Sequence, residues 1–112
     1  MSDLAKKVCV ACEGGVQPFT RDEAMRYVSE VPAWTLDETG KHLERRWIFK
    51  DFAESMRFVS RVAAIAEEQN HHPDIAISYN KVVLTLTTHA IKGLSENDFI
   101  MAAKIDGITS DM

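Results

Sequence analysis

Two of the chain's four histidines stand side by side in Glu67-Glu68-Gln69-Asn70-His71-His72-Pro73. Imidazoles exchange protons near neutral pH without special tuning, so a His pair at the seam between two elements is suited to acid–base work. Glu67 lies four residues before His71. That is one helical turn, from which its carboxylate can hold the His71 ring. Pro73 pushes His72 to an extended backbone, so the two rings diverge. Tyr79 follows six residues after Pro73, His89 ten after Tyr79 and Asp98 nine after His89. Each has a plainer reading: a polar turn for His-His-Pro, a hairpin aromatic for Tyr79, a strand-end surface residue for His89. Asp98, three residues after Ser95, fits a capping box.

The elements that must position these groups follow from hydrophobic periodicity. Thr20 with Glu23 is a capping-box pattern opening a helix to about Val31, with Ala24, Tyr27, Val28 and Val31 at helical spacing. Pro32 stops it. Trp34 to Asp37 is a short strand, and Glu38-Thr39-Gly40-Lys41 a hairpin turn. His42 to Phe49 alternates, with Leu43, Arg45, Trp47 and Phe49 facing inward. Asp51 caps the longest helix, which ends near Asn70. Phe52, Met56, Val59, Val62, Ala63 and Ala66, helped by Ile65, form its expected apolar face, and Arg57 and Arg61 its solvated one. Asp74–Ser78 and Lys81–Thr88 are strands joined by a turn at Asn80-Lys81. Ile75, Ile77 and Tyr79 share one face, as do Val82, Leu84 and Leu86. Ser95 starts a last helix, Glu96 to about Ile105, ended by Gly107. Two hairpins joined by a helix give an α+β fold, α-β-β-α-β-β-α. Its four-stranded antiparallel sheet has three helices packed on one face. Ile48 and Val83, apolar on the other face, suggest a subunit interface.

At 112 residues, 46% hydrophobic and 27% charged with net charge −4, the chain suits one ordinary globular domain. Residues 1–19 read as a flexible leader, broken by Gly14-Gly15 and Pro18, ahead of a single domain over 20–112. No basic stripe suggests nucleic acid, no span suggests a membrane, and Met1–Lys7 lacks a signal-peptide core, so a cytoplasmic protein is expected. Cys9 and Cys12 supply only half of a four-ligand zinc site and have no βαβ unit beside them, so reduced thiols are expected. Adjacent histidines diverge too much to chelate one ion well. Neither a metal nor a cofactor is expected.

The run from Glu67 through His71-His72-Pro73, Tyr79 and His89 to Asp98 resembles the signature of the pterin-4a-carbinolamine dehydratases. Trp34, the first hairpin, the long helix and Gly93-Leu94-Ser95-Glu96-Asn97-Asp98-Phe99 also look like that family, over about residues 20 to 106. Some relatives carry a basic residue where this chain has Asn97. The resemblance implies a cofactor-free lyase that dehydrates 4a-hydroxytetrahydropterin, recycling the cofactor of an aromatic amino acid hydroxylase. It implies His71, His72 and His89 as catalytic, with Glu67, Pro73, Tyr79 and Asp98 binding or supporting. A homodimer or homotetramer is implied as well. The alternative is a binding module, since some members of that family act as dimerisation cofactors of a transcription factor.

Overall fold

The computed structural model describes residues 3–10 and 17–110. Helix α1 (Arg21–Val28) opens with the expected reciprocal box: the Glu23 amide donates to Thr20 Oγ1 at 3.2 Å and the Thr20 amide to Glu23 Oε1 at 2.8 Å. Strand β1 (Thr35–Leu36) and strand β2 (Leu43–Ile48) form the first hairpin. Its turn is built on Asp37, whose carboxylate accepts from the Thr39 hydroxyl and from the Lys41 and His42 amides, with the His42 ring alongside. Gly40, at φ 73°, takes the left-handed position this turn requires.

Helix α2 (Phe52–Gln69) crosses to strand β3 (Asp74–Ser78) and strand β4 (Lys81–Leu86), and α3 (Glu96–Ser110) closes the fold. The sheet is antiparallel throughout, in the order β1-β2-β4-β3, with the helices over its inner face. Leu43, Trp47, Val82, Leu84 and Leu86 from the sheet meet Phe58, Val62, Phe99, Ile100 and Ile105 from the helices in one core. Trp34 and Trp47 are both core residues, packed edge to face with ring centroids 5.9 Å apart. The N-terminal half of α3 is buried all round, from Asn97 to Ala102, which makes it the central helix rather than an amphipathic cover.

Several local expectations change. The buried stripe of α2 is Ser55, Phe58, Val62, Ala66 and Gln69, while Phe52, Met56 and Ala63 are exposed. Ser55 is tolerated inside because its hydroxyl donates to the Asp51 carbonyl at 3.1 Å. Gly107 lies within α3 and does not end it. A methyl group there would meet nothing within 4 Å. Strand β4 stops at Leu86, so His89 opens a 3-10 turn (His89–Ile91) instead of ending a strand. The second hairpin turns at Tyr79-Asn80, with Tyr79 at φ 54°. Tyr79 therefore leaves the face it was expected to share with Ile75 and Ile77.

The leader also departs from the free arm expected of it. Leu4, in a 3-10 turn (Leu4–Lys6), is buried in the core, and this turn packs on α3. Lys104 donates to the Ala5 carbonyl at 2.8 Å and Lys7 to Glu96 at 3.0 Å. The expectation for Cys12 lies outside the described residues. Pro18 comes so close to Gly93 that a Cβ on Gly93 would stand 2.6 Å from the proline ring. Here the glycine is required by packing.

Candidate active site

The end of α2 sets the site. Asn70 adopts the left-handed conformation (φ 53°, ψ 42°) and both its amide and that of His71 donate to the Ala66 carbonyl. This cap stops the helix and turns the next residues off its axis. His71 swings inward, with its side chain 11% exposed, and Nε2 lies 2.7 Å from Asp98 Oδ1. His72 points outward, and its Nε2 lies 2.6 Å from Glu67 Oε2. The expected pairing of Glu67 with His71 is thus replaced. Glu67 holds His72, and Asp98 holds His71. The His72–Glu67 pair is solvent-exposed, where such contacts contribute at most about 1 kcal/mol. Pro73, next in the chain, is buried.

Asp98 is fully buried, and each of its oxygens is used. Oδ1 faces His71, and Oδ2 accepts from the Thr88 hydroxyl at 2.8 Å and the Ser95 amide at 3.0 Å. It closes the N-terminus of α3 as the capping box suggested, and the same carboxylate reaches across to the histidine. Buried carboxylates persist when charged or polar partners satisfy them in this way. With Nε2 engaged, Nδ1 is the ring nitrogen of His71 left for a ligand.

His71, His72 and His89 line one cleft of about 380 Å³, together with Thr87, Thr88 and Asn97. Ligand sites of small molecules begin at about 300 Å³. His89 is exposed at the cleft and has no side-chain partner among the described residues. Tyr79 does not line the cleft and stands 64% exposed at the hairpin tip. His42, the remaining histidine, lies 2.9 Å from Asp37 in the first hairpin.

The sequence reading missed Gln69, Thr88 and the segment Cys9–Val10 as parts of the cleft. Gln69 continues the buried spacing 55-58-62-66-69 of α2, but the stripe through Phe52 and Met56 is as regular, so periodicity alone did not single it out. Thr88 and Cys9–Val10 carry no local signal, because their partners lie on other elements. The Cys9 amide donates to Gln69 Oε1 at 2.9 Å, and the Val10 amide to Asn97 Oδ1 at 3.0 Å.

A buried carboxylate–imidazole pair facing a histidine-lined cleft, at the end of an antiparallel α+β layer, defines a candidate acid–base site. The family model for pterin 4 alpha carbinolamine dehydratase matches residues 17–108. A protein of Rubrobacter xylanophilus is 48% identical over 95% of this chain and 98% of its own length. One of Azoarcus sp. is 41% identical over 99% and 95%. Both are named provisionally as pterin-4-alpha-carbinolamine dehydratases. A crystal structure from Brucella melitensis, titled as a transcriptional coactivator/pterin dehydratase, superposes with a TM-score of 0.77 at 32% identity. It covers 82% of this chain and 98% of its own. The chain belongs to the pterin 4 alpha carbinolamine dehydratase family.

Proposed function

We propose that this protein dehydrates 4a-hydroxytetrahydropterin to the quinonoid dihydropterin by histidine acid–base catalysis. It would serve an aromatic amino acid hydroxylase whose spent cofactor it returns. The observation that carries the reading is the convergence of His71, His72 and His89 on one cleft, with His71 anchored by buried Asp98. Family membership supports it.

The reaction breaks the C4a–O bond while the N5 lone pair forms the C=N bond. A protonated imidazole gives its proton to the departing hydroxyl, which leaves as water, and a neutral imidazole accepts the proton released from a ring nitrogen. The two transfers need two differently placed bases, and each is worth roughly 10²–10⁴-fold. His71 and His89 take these roles. A carboxylate behind an imidazole stabilises the charge the ring gains with a proton, and Asp98 stands in that position for His71. His72, loosely held by Glu67, orients the pterin.

The test adds the protein to a hydroxylase reaction and follows the carbinolamine absorbance. Decay faster than in buffer supports the reading, and decay at the buffer rate removes it. A second reading, protein interaction, draws on Phe52 and Met56, exposed on α2, and on the coactivator named in the Brucella title. It gains ground if the protein is inactive yet binds a partner through that helix. Assembly into a dimer or tetramer is part of the proposal, motivated by Ile48, 76% exposed on the outer sheet face. Sedimentation at micromolar concentration should give more than a monomer mass.

A further inference from the structure

Gln69 and Asn97 are buried amides, 9% and 4% exposed, and both are turned onto one short stretch of backbone. Asn97 grips Val10 at two points, accepting from its amide and donating to its carbonyl. Gln69 accepts from the Cys9 amide beside it. A side-chain amide that meets both the N–H and the C=O of one residue imitates a neighbouring β-strand and fixes that residue's position. The strap so held runs along the histidine cleft, and Cys9 and Val10 are part of its lining.

Val10 is 70% exposed although its backbone is fixed. Apart from Cys9, Val10 and Ala90 are the apolar residues in a lining otherwise polar. A pterin has hydrogen-bonding edges and apolar faces. The histidines, Thr87 and Thr88 can serve the edges, but a face needs an apolar side chain held still. A fixed aliphatic group meets this at low entropic cost, because Val has little rotamer freedom to lose.

We propose that Val10 is a substrate-binding residue that packs on a face of the pterin ring, and that Asn97 and Gln69 are positioning residues which hold it there. The assignment deepens the dehydratase reading and rests on it for the identity of the ring. Val10 touches no reacting atom in this scheme, so it contributes to binding in the ground and transition states alike. Such a residue changes KM and leaves kcat.

The test is steady-state kinetics of carbinolamine dehydration, with a fluorescence titration using 7,8-dihydrobiopterin as probe. Val10→Ala should raise KM about fivefold with kcat within about twofold of the parent. Val10→Asp should raise it by more than about tenfold. Asn97→Leu, which releases the strap, should follow Val10→Asp, and the dihydropterin Kd should rise in parallel. Val8→Ala, on the same strap but outside the lining, is the control and should match the parent. The proposal is overturned if both Val10 variants keep the parental KM and Kd, or if Val8→Ala weakens binding as much as Val10→Ala. If the parent binds the dihydropterin but does not speed dehydration, the dehydratase reading fails while the titration of the Val10 variants still decides the wall. A parent that does neither overturns both. Should Asn97→Leu fail to fold, the two Val10 variants suffice.

Discussion

His71 and His72 are adjacent in the chain yet answer to different carboxylates, and this decides what each can do. His71 is packed inward on Asp98, which is 0% exposed and shares its second oxygen with Thr88 and Ser95. His72 is half-exposed on a Glu67 that is itself in solvent. A rigidly held ring suits proton transfer, where misplacement is costly, and a loosely held one suits orientation. His71→Ala and His89→Ala should each lower kcat roughly 10²–10⁴-fold. His72→Ala should raise KM at least as much as it lowers kcat. His42→Ala, outside the cleft lining, should do neither. Kinetics on the four variants, with circular dichroism to check folding, decides the division. Full kcat in His71→Ala would move the proton transfer elsewhere. The Asp98 partnership was illegible in the sequence, because Asp98 lies 27 residues beyond His71. Local helical spacing favours Glu67, and only the fold brings the start of α3 to the end of α2.

Strand β4 was legible because a half-buried strand alternates, and Val82, Leu84 and Leu86 are buried while Lys81, Val83 and Thr85 between them are more open. The face of α2 was not, because apolar residues occupy more than half its circumference. The stripe Phe52, Met56, Val59, Ala63 repeats as regularly as the one through Phe58, so periodicity cannot say which half meets the sheet. Gly107 misled for a similar reason: glycine favours helix ends, yet Ile105 and Ile108 on either side pack against the core and carry the helix through. Gly107→Ala should therefore stabilise the protein by about 0.5–1 kcal/mol, read by urea denaturation, since the site has open space and helical backbone. A destabilised variant would place the end of α3 elsewhere. The first hairpin makes a pH prediction. Burial pushes the Asp37 carboxyl up, but bonds from the His42 ring, the Thr39 hydroxyl and the Lys41 and His42 amides outweigh it and hold the group at about 2. A depressed carboxyl stabilises the fold above its unfolded value of 3.8 and loses that contribution as pH falls through about 2. Asp37→Asn should cost on the order of 1 kcal/mol at neutral pH, less than the full shift implies because the carboxylate is over a third exposed. The cost should vanish near pH 2. A cost independent of pH would assign the turn to packing alone.

At the scale of the whole molecule, the N-terminal segment connects core and cleft. Composition concealed this, since residues 3–10 have no periodicity and offer only Leu4 as a buried side chain, with Cys9 partly buried, to a core formed by distant elements. Leu4 is 3% exposed, and beyond it the chain passes over α3 to meet Asn97 and Gln69. Deleting residues 1–10 therefore removes a core side chain and leaves two buried amides without the backbone they grip. The first loss is about 1.5–3 kcal/mol for a buried Leu. The second is smaller, since water can enter the opened cleft and satisfy the amides. For a domain of this size the sum corresponds to a fall in Tm of roughly 10 °C or more. Leu4→Ala should reproduce most of that fall while leaving KM near the parental value, because the strap's grip on Asn97 survives it. Thermal unfolding and KM measured on both variants separate the two functions of the segment. If the deletion keeps the parental Tm and KM, residues 1–10 act as the free leader their sequence suggests. If Leu4→Ala raises KM as much as the deletion does, core and cleft are one cooperative unit and the strap cannot be released without loosening the fold.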